Sequence, residues 1–121
     1  MESRDLAIVT GGSKGLGAAL CRRFLDKGYQ VVEFSRSGTA DYNVPIDLAD
    51  PKAAEKAFSR LLSRLAMNEY NTIVGVNNAG VLSPIGPAAR KPLEEVVENM
   101  NVNFLSQVLF IRSFLKNFQK P

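Results

Sequence analysis

The sequence predicts an α/β domain, a doubly wound parallel sheet with helices on both faces. Two observations carry that expectation. Apolar runs of strand length alternate with longer segments in which apolar residues recur every three or four positions. Each change of pattern is marked by glycine, proline, asparagine or aspartate, the residues that turns require. The 121 residues make one domain, long enough to bury a core.

The first strand is Leu6 to Thr10 (LAIVT). Leu16, Leu20 and Phe24, with Cys21 and Leu25 beside them, form a helical stripe that stops at Lys27-Gly28, a cation followed by a glycine. Gln30 to Ser35 (QVVEFS) is a second strand, followed by a loop at Ser37-Gly38-Thr39. Glu33 is a charge inside that strand for which the pattern offers no reason. Asn43 to Asp47 (NVPID) is a short third strand, and its Pro45 suits an edge because proline has no N–H for a ladder. Asp50 is placed to cap a helix that opens with Pro51 and sets Ala54, Phe58, Leu61, Leu62 and Leu65 on one face. Thr72 to Asn77 (TIVGVN) is a fourth strand whose near-continuous apolar run implies cover on both faces. A loop bearing proline and glycine runs from Asn78 to about Lys91. From Pro92 to about Asn117 the chain is mostly helical, with Val97, Met100, Phe104, Val108, Ile111 and Leu115 as its main stripe.

Composition excludes several classes of chemistry. There is no histidine, which removes Ser-His-Asp and Cys-His catalysis and most zinc sites, and no metal site is expected. The single cysteine, Cys21, allows no internal disulfide and fits a reducing, cytoplasmic setting; it reads as a small core residue. The net charge of +3 is scattered, without the basic stripe that a nucleic acid needs. No apolar run approaches membrane-spanning length, and the charged start Met1-Glu-Ser-Arg-Asp does not read as a signal peptide.

The most informative segment is Thr10-Gly11-Gly12-Ser13-Lys14-Gly15-Leu16-Gly17, between the first strand and the first helix. Glycines there let the backbone turn tightly and come close to a ligand. The free N–H groups of the following helix, aided by its dipole, suit an anion. Strand, glycine turn and helix in that order predict a pyrophosphate site made by Gly11, Ser13, Lys14, Gly15, Leu16 and Gly17. No Gly-Lys-Ser/Thr follows, so a P-loop is excluded. The second strand should end near Ser35, beside an adenosine ribose. Ser35 holds that position and Arg36 follows; an aspartate would repel a 2′-phosphate, whereas a guanidinium can bind one with forked hydrogen bonds.

TGGSKGLG after the first strand, Asp47 after the third, Asn77-Asn78-Ala79-Gly80 after the fourth and Asn103 in the next helix together resemble the short-chain dehydrogenase/reductase family, in family order across the whole chain. The texture from Gly75 to Phe118 looks most like its sepiapterin reductase and benzil reductase branch. The resemblance implies a Rossmann-type sheet with its strands ordered 3-2-1-4. It also implies an oxidoreductase that transfers hydride between NADP(H) and a ketone, aldehyde or alcohol. A base at Lys14 or Arg36 marks NADP preference in that family, and both are present. By the same resemblance Asp47 accepts from the adenine amino group and the Leu48 N–H binds a ring nitrogen. Asn77 lies near the ribose, Asn78 has a structural role, and Ala79 and Gly80 approach the cofactor with their backbone. Asp47 also has a plain reading as a turn residue. Asn103 is assigned the one catalytic position, at a helix irregularity that holds a relay water, with Asn101 as its rival.

The family also needs a serine and a Tyr-x-x-x-Lys. Tyr29, Tyr42 and Tyr70 lack a lysine four positions on. The chain therefore reads as the first half of a reductase, inactive alone and inclined to form a homo-oligomer. The rival expectation is a non-catalytic nucleotide-binding or assembly module.

Overall fold

The computed structural model describes residues 4–119. The residues Met1 to Ser3 of the charged start, and Lys120-Pro121, lie outside them. Four strands form one sheet: β1 (Asp5–Thr10), β2 (Gln30–Ser35), β3 (Asn43–Pro45) and β4 (Thr72–Asn77), in the order β3-β2-β1-β4 with every pair parallel. Helix α1 (Gly15–Asp26) links β1 to β2, and α2 (Pro51–Leu65) links β3 to β4. After β4 the loop contains one short 3-10 turn at Ala88–Arg90. The chain then continues through α3 (Leu93–Met100), a π-helical turn (Asn101–Leu105) and α4 (Ser106–Phe118).

Alternation along β1 assigns the two faces of the sheet. Leu6 and Ile8 point to one side, where Val32 and Phe34 of β2 meet Ala54, Phe58 and Leu62 of α2 and Phe110 of α4. Phe58 is edge-on to both Phe34, at 4.9 Å, and Phe110, at 5.4 Å, so aromatic packing ties the sheet to both helices. Ala7, Val9 and Val31 point to the other side, against Cys21 and Phe24 of α1. Asp50 caps α2 as expected, accepting the Ala53 N–H at 3.1 Å, with Pro51 first in the helix. Pro45 lies on an edge strand, since β3 pairs with β2 alone.

Three expectations need correction. β4 is only half-buried, because it forms the far edge of the sheet and pairs with β1 alone among the described residues. Leu16 is 69% exposed and Leu25 is also exposed, so the buried side of α1 is carried by Gly17 and Cys21. The stripe Val97, Met100, Phe104, Val108, Ile111 and Leu115 faces outward, Phe104 being 61% exposed. The buried stripe is Val102, Ser106, Phe110 and Ser113. Ser106 loses little by burial, since its hydroxyl donates to the Val102 carbonyl at 2.7 Å, one turn back. Two serines on the inner face made the outer face look like the core.

Candidate functional site: a cleft at the carboxyl ends of the strands

β1 and β4 lie in register, Thr10 opposite Asn77, so their carboxyl ends open on the same side of the sheet. The Thr10 hydroxyl clamps them together. It accepts the N–H groups of Asn78 and Ala79, each at 3.1 Å, and donates to Asn77 Oδ1 at 3.4 Å. Asn78 Nδ2 donates to the Gly11 carbonyl at 3.0 Å, and the Gly11 N–H donates to the Phe34 carbonyl at 2.7 Å. The glycine turn is thus held by β4 on one side and β2 on the other.

The turn leaves no room for side chains where it matters. Gly11 has φ +70°, and a β-carbon on it would stand 2.8 Å from the Ala79 Cα. A β-carbon on Gly17 would overlap the Gly11 carbonyl and reach within 2.5 Å of Asn78 Nδ2. Lys14 occupies the N-cap of α1, yet its side chain makes no capping hydrogen bond, and no acid sits in the first turn. The opening N–H groups of α1 have no intrahelical acceptor, so they are open to an external anion.

A cleft of about 340 Å³ lies over this turn. The turn contributes Gly11, Ser13 and Lys14, and the end of β2 contributes Ser35 and Arg36. The segment after β3 adds Asp47 and Leu48, and the segment after β4 adds Ala79 and Gly80. Nine expected site residues, scattered over 70 positions of sequence, therefore share one cavity. Lys14 and Arg36 are exposed cations there. Gly15, Leu16, Gly17, Asn77 and Asn103 are outside the lining. Gly17 acts by its packing, and Asn77 Nδ2 donates to the Gln107 carbonyl at 3.1 Å.

The Ser35 hydroxyl donates to Glu33 Oε2 at 3.0 Å. Asp47 Oδ1 accepts the Ala49 N–H at 2.9 Å, which is the turn-residue use of an aspartate. Asn103 lies in the π-helical turn, a feature that recurs at functional sites. Its amide pairs twice with Val81: Oδ1 accepts the Val81 N–H and Nδ2 donates to the Val81 carbonyl, both at 2.7 Å. The rival Asn101 instead donates to the Ala49 carbonyl at 3.1 Å. Asn103 therefore fixes the backbone of Val81, which lines the cleft next to Gly80.

Cys21 lies outside the cleft, on the α1 side of the sheet. Burial, with the Glu33 carboxylate nearby, pushes its thiol from 9.0 to about 11, so it is no nucleophile at neutral pH. Burial also raises the Tyr42 phenol above its ordinary value, with smaller contributions from Cys21 and Glu33. Among the described residues no cluster of His, Cys, Asp or Glu could hold a metal, and no helix is long and apolar enough to cross a membrane.

The sequence pattern of the family described as short chain dehydrogenase matches residues 5–121. The chain belongs to that family. It is 36% identical over 119 residues to the benzil reductase ((S)-benzoin forming) of Bacillus subtilis, covering 94% of this chain and 49% of that protein. The chain thus spans about half the length of the curated relative it matches. A short-chain dehydrogenase/reductase from Burkholderia vietnamiensis superposes with a TM-score of 0.90 at 26% identity, covering all of this chain and 60% of that one. A metagenomic short-chain oxidoreductase in complex with NADP does so with a TM-score of 0.80 at 27% identity, covering 96% and 56%. Short-chain dehydrogenases use NAD(P), act on small molecules and often form oligomers.

As a short-chain dehydrogenase, the chain carries site features that its motifs did not announce. Thr10 ends the first strand and opens the glycine motif, and neither place announces that its buried hydroxyl joins the two strands under the cleft. Asn78, read as structural, also lines the cavity, together with Ile46, Val81, Glu98 and Val102. Glu98 and Val102 are four apart on a helical segment, so one face presents both. That spacing was available in the sequence.

Proposed function

We propose that this short-chain dehydrogenase chain is the NADP(H)-binding part of a carbonyl or alcohol oxidoreductase. The observation that carries the reading is the pairing of Lys14 and Arg36 in the cleft with Ser35, rather than an acid, at the end of β2. The local geometry supports a coenzyme there: β-carbons on Gly11 and Gly17 would strike Ala79 and the Gly11 carbonyl, so both glycines keep the turn tight beside the cleft, and no side chain caps α1. The backbone from Gly11 to Gly17, with Ser13, Gly15 and Leu16, would hold the pyrophosphate. Lys14 and Arg36 would bind the 2′-phosphate, and Ser35 would border the adenosine ribose. Asp47 and the Leu48 N–H would meet the adenine, and Asn77, Ala79 and Gly80 would support the centre of the coenzyme. Asn103 would keep the backbone at Val81 in place and offer the π-turn to a relay water.

When bound, NADP(H) supplies the hydride donor or acceptor for a ketone, aldehyde or alcohol. The proton must come from elsewhere. Tyr70 donates to Gln30 Oε1 at 3.0 Å, Tyr42 packs with the Cys21 cluster, and no tyrosine lines the cleft. Turnover by these 121 residues alone is therefore expected to be negligible. The outward apolar stripe from Val97 to Leu115 supports homo-oligomer formation. The scattered charge and single buried thiol support a cytoplasmic protein with neither nucleic acid nor membrane as partner.

Fluorescence titration with NADPH and NADH, in wild type and Arg36→Ala, tests the reading. A charge-assisted contact is worth about 1.5–3 kcal/mol, so an exposed arginine at the low end should give NADPH about a tenfold advantage. Arg36→Ala should remove most of it and leave NADH unchanged. Equal affinity for the two coenzymes in wild type refutes the 2′-phosphate assignment.

A further inference from the structure

Glu33 has no part in the cleft lining, yet it is 1% exposed and hydrogen-bonds both to the glycine turn and to Ser35 of the lining. Its Oε1 accepts the Gly12 N–H at 3.2 Å, from the middle of the glycine turn. Its Oε2 accepts from the Ser35 hydroxyl at 3.0 Å and from Asn43 Nδ2 at 2.7 Å. Asn43 Nδ2 also reaches Ser35 Oγ at 3.0 Å, so the contacts close into a network. The Glu33 N–H donates to the Tyr42 carbonyl at 3.0 Å. One buried carboxylate therefore joins the glycine turn to both ends of the loop that begins with Arg36 and returns at Asn43.

The surrounding sequence is fitted to that side chain. A β-carbon on Gly12 would come within 2.6 Å of the Glu33 Cβ, and one on Gly38 within 2.5 Å of Glu33 Oε2. Both loops close down onto the carboxylate. Its donors are fixed by chemistry: a backbone N–H and an amide NH2 can only give, and the serine hydroxyl follows. Buried groups that lose such partners are costly, which makes the arrangement specific.

We propose that Glu33 is a positioning residue for coenzyme selection, locking the Arg36 loop in register with the glycine turn so that a 2′-phosphate meets both cations at once. The proposal rests on the NADP(H) reading above. It explains a buried acid one residue short of Phe34 and two short of Ser35, where a coenzyme ribose would be contacted. The carboxylate is turned inward and binds protein, so it neither reads the ribose hydroxyls nor repels the phosphate.

The test is titration of the full-length protein with NADPH and NADH. Glu33→Gln keeps the shape but presents an NH2 to either Gly12 or Asn43, both donors. It should weaken NADPH about thirtyfold and NADH about threefold, a drop of about tenfold in preference. The double variant Glu33→Gln/Asn43→Asp exchanges donor and acceptor and should restore most of the preference. A role in stability alone would lower the melting temperature and weaken both coenzymes equally, which overturns the proposal. Unchanged preference in a folded Glu33→Gln also overturns it, while the Arg36 reading stands if Arg36→Ala still lowers the preference. No preference in wild type refutes both. Should Glu33→Gln fail to fold, Asn43→Ala removes a tie of the carboxylate that lies outside the cleft lining; about a threefold drop in preference supports the proposal, and none overturns it.

Discussion

Replacing Thr10 by valine removes one oxygen and changes almost nothing else in shape. That oxygen accepts two backbone N–H groups, from Asn78 and Ala79, and donates to Asn77 Oδ1. Thr10 is 2% exposed and Ala79 is buried, so water cannot take over the Ala79 N–H without the strands parting. An unsatisfied buried N–H costs about 1–3 kcal/mol, and half-buried Asn78 adds less, which makes the total about 2–4 kcal/mol. At this chain length that corresponds to a fall in melting temperature of about 10 °C. Thr10→Ser keeps the hydroxyl and gives up a methyl, at about 1 kcal/mol. Calorimetric melting of the two variants decides the matter. The hydroxyl clamp predicts that valine, the closer match in volume, is the more damaging change. A Thr10→Val protein as stable as Thr10→Ser would refute it.

Three further outcomes follow from the packing around the sheet. Gly17→Ala should abolish measurable NADPH binding in titration, because the new methyl meets the backbone carbonyl of Gly11, which accepts from Asn78 Nδ2 while the Gly11 N–H is held by the Phe34 carbonyl; binding within twofold of wild type would contradict that packing. Cys21, with its thiol pushed up to about 11, should react slowly with iodoacetamide at neutral pH, at a rate that keeps rising beyond pH 9. The folded state holds that proton more tightly than the unfolded chain, so stability should also decline as pH climbs from 9 toward 11. An alkylation profile already level at pH 9 would contradict the burial.

What was legible in the sequence had a local cause. Asp50-Pro51 announces a helix start because a cap and a fixed φ are local properties. Pro45 names an edge because it lacks a donor. The glycine turn was readable because strand, turn and helix are consecutive, and the order β3-β2-β1-β4 came from the family resemblance. What failed to show depended on distant partners. Glu33 looks like an error in a buried strand until Gly12, 21 positions away, is seen to need its oxygen. Thr10 looks like a strand residue until β4 arrives beside it, 67 positions later. The Val97–Leu115 stripe misled because periodicity says that a helix has two faces without saying which one meets the sheet, and Ser106 and Ser113 disguised the inner one.

The central claim concerns the adenosine end of the cleft, so a ligand without nicotinamide tests it most directly. Calorimetric titration with 2′-phospho-ADP-ribose and with ADP-ribose isolates that end from any catalytic group. The account predicts at least about a tenfold tighter complex with the phosphorylated ligand, lost in Arg36→Ala. Equal affinity for the two ligands, or binding by neither, would contradict it.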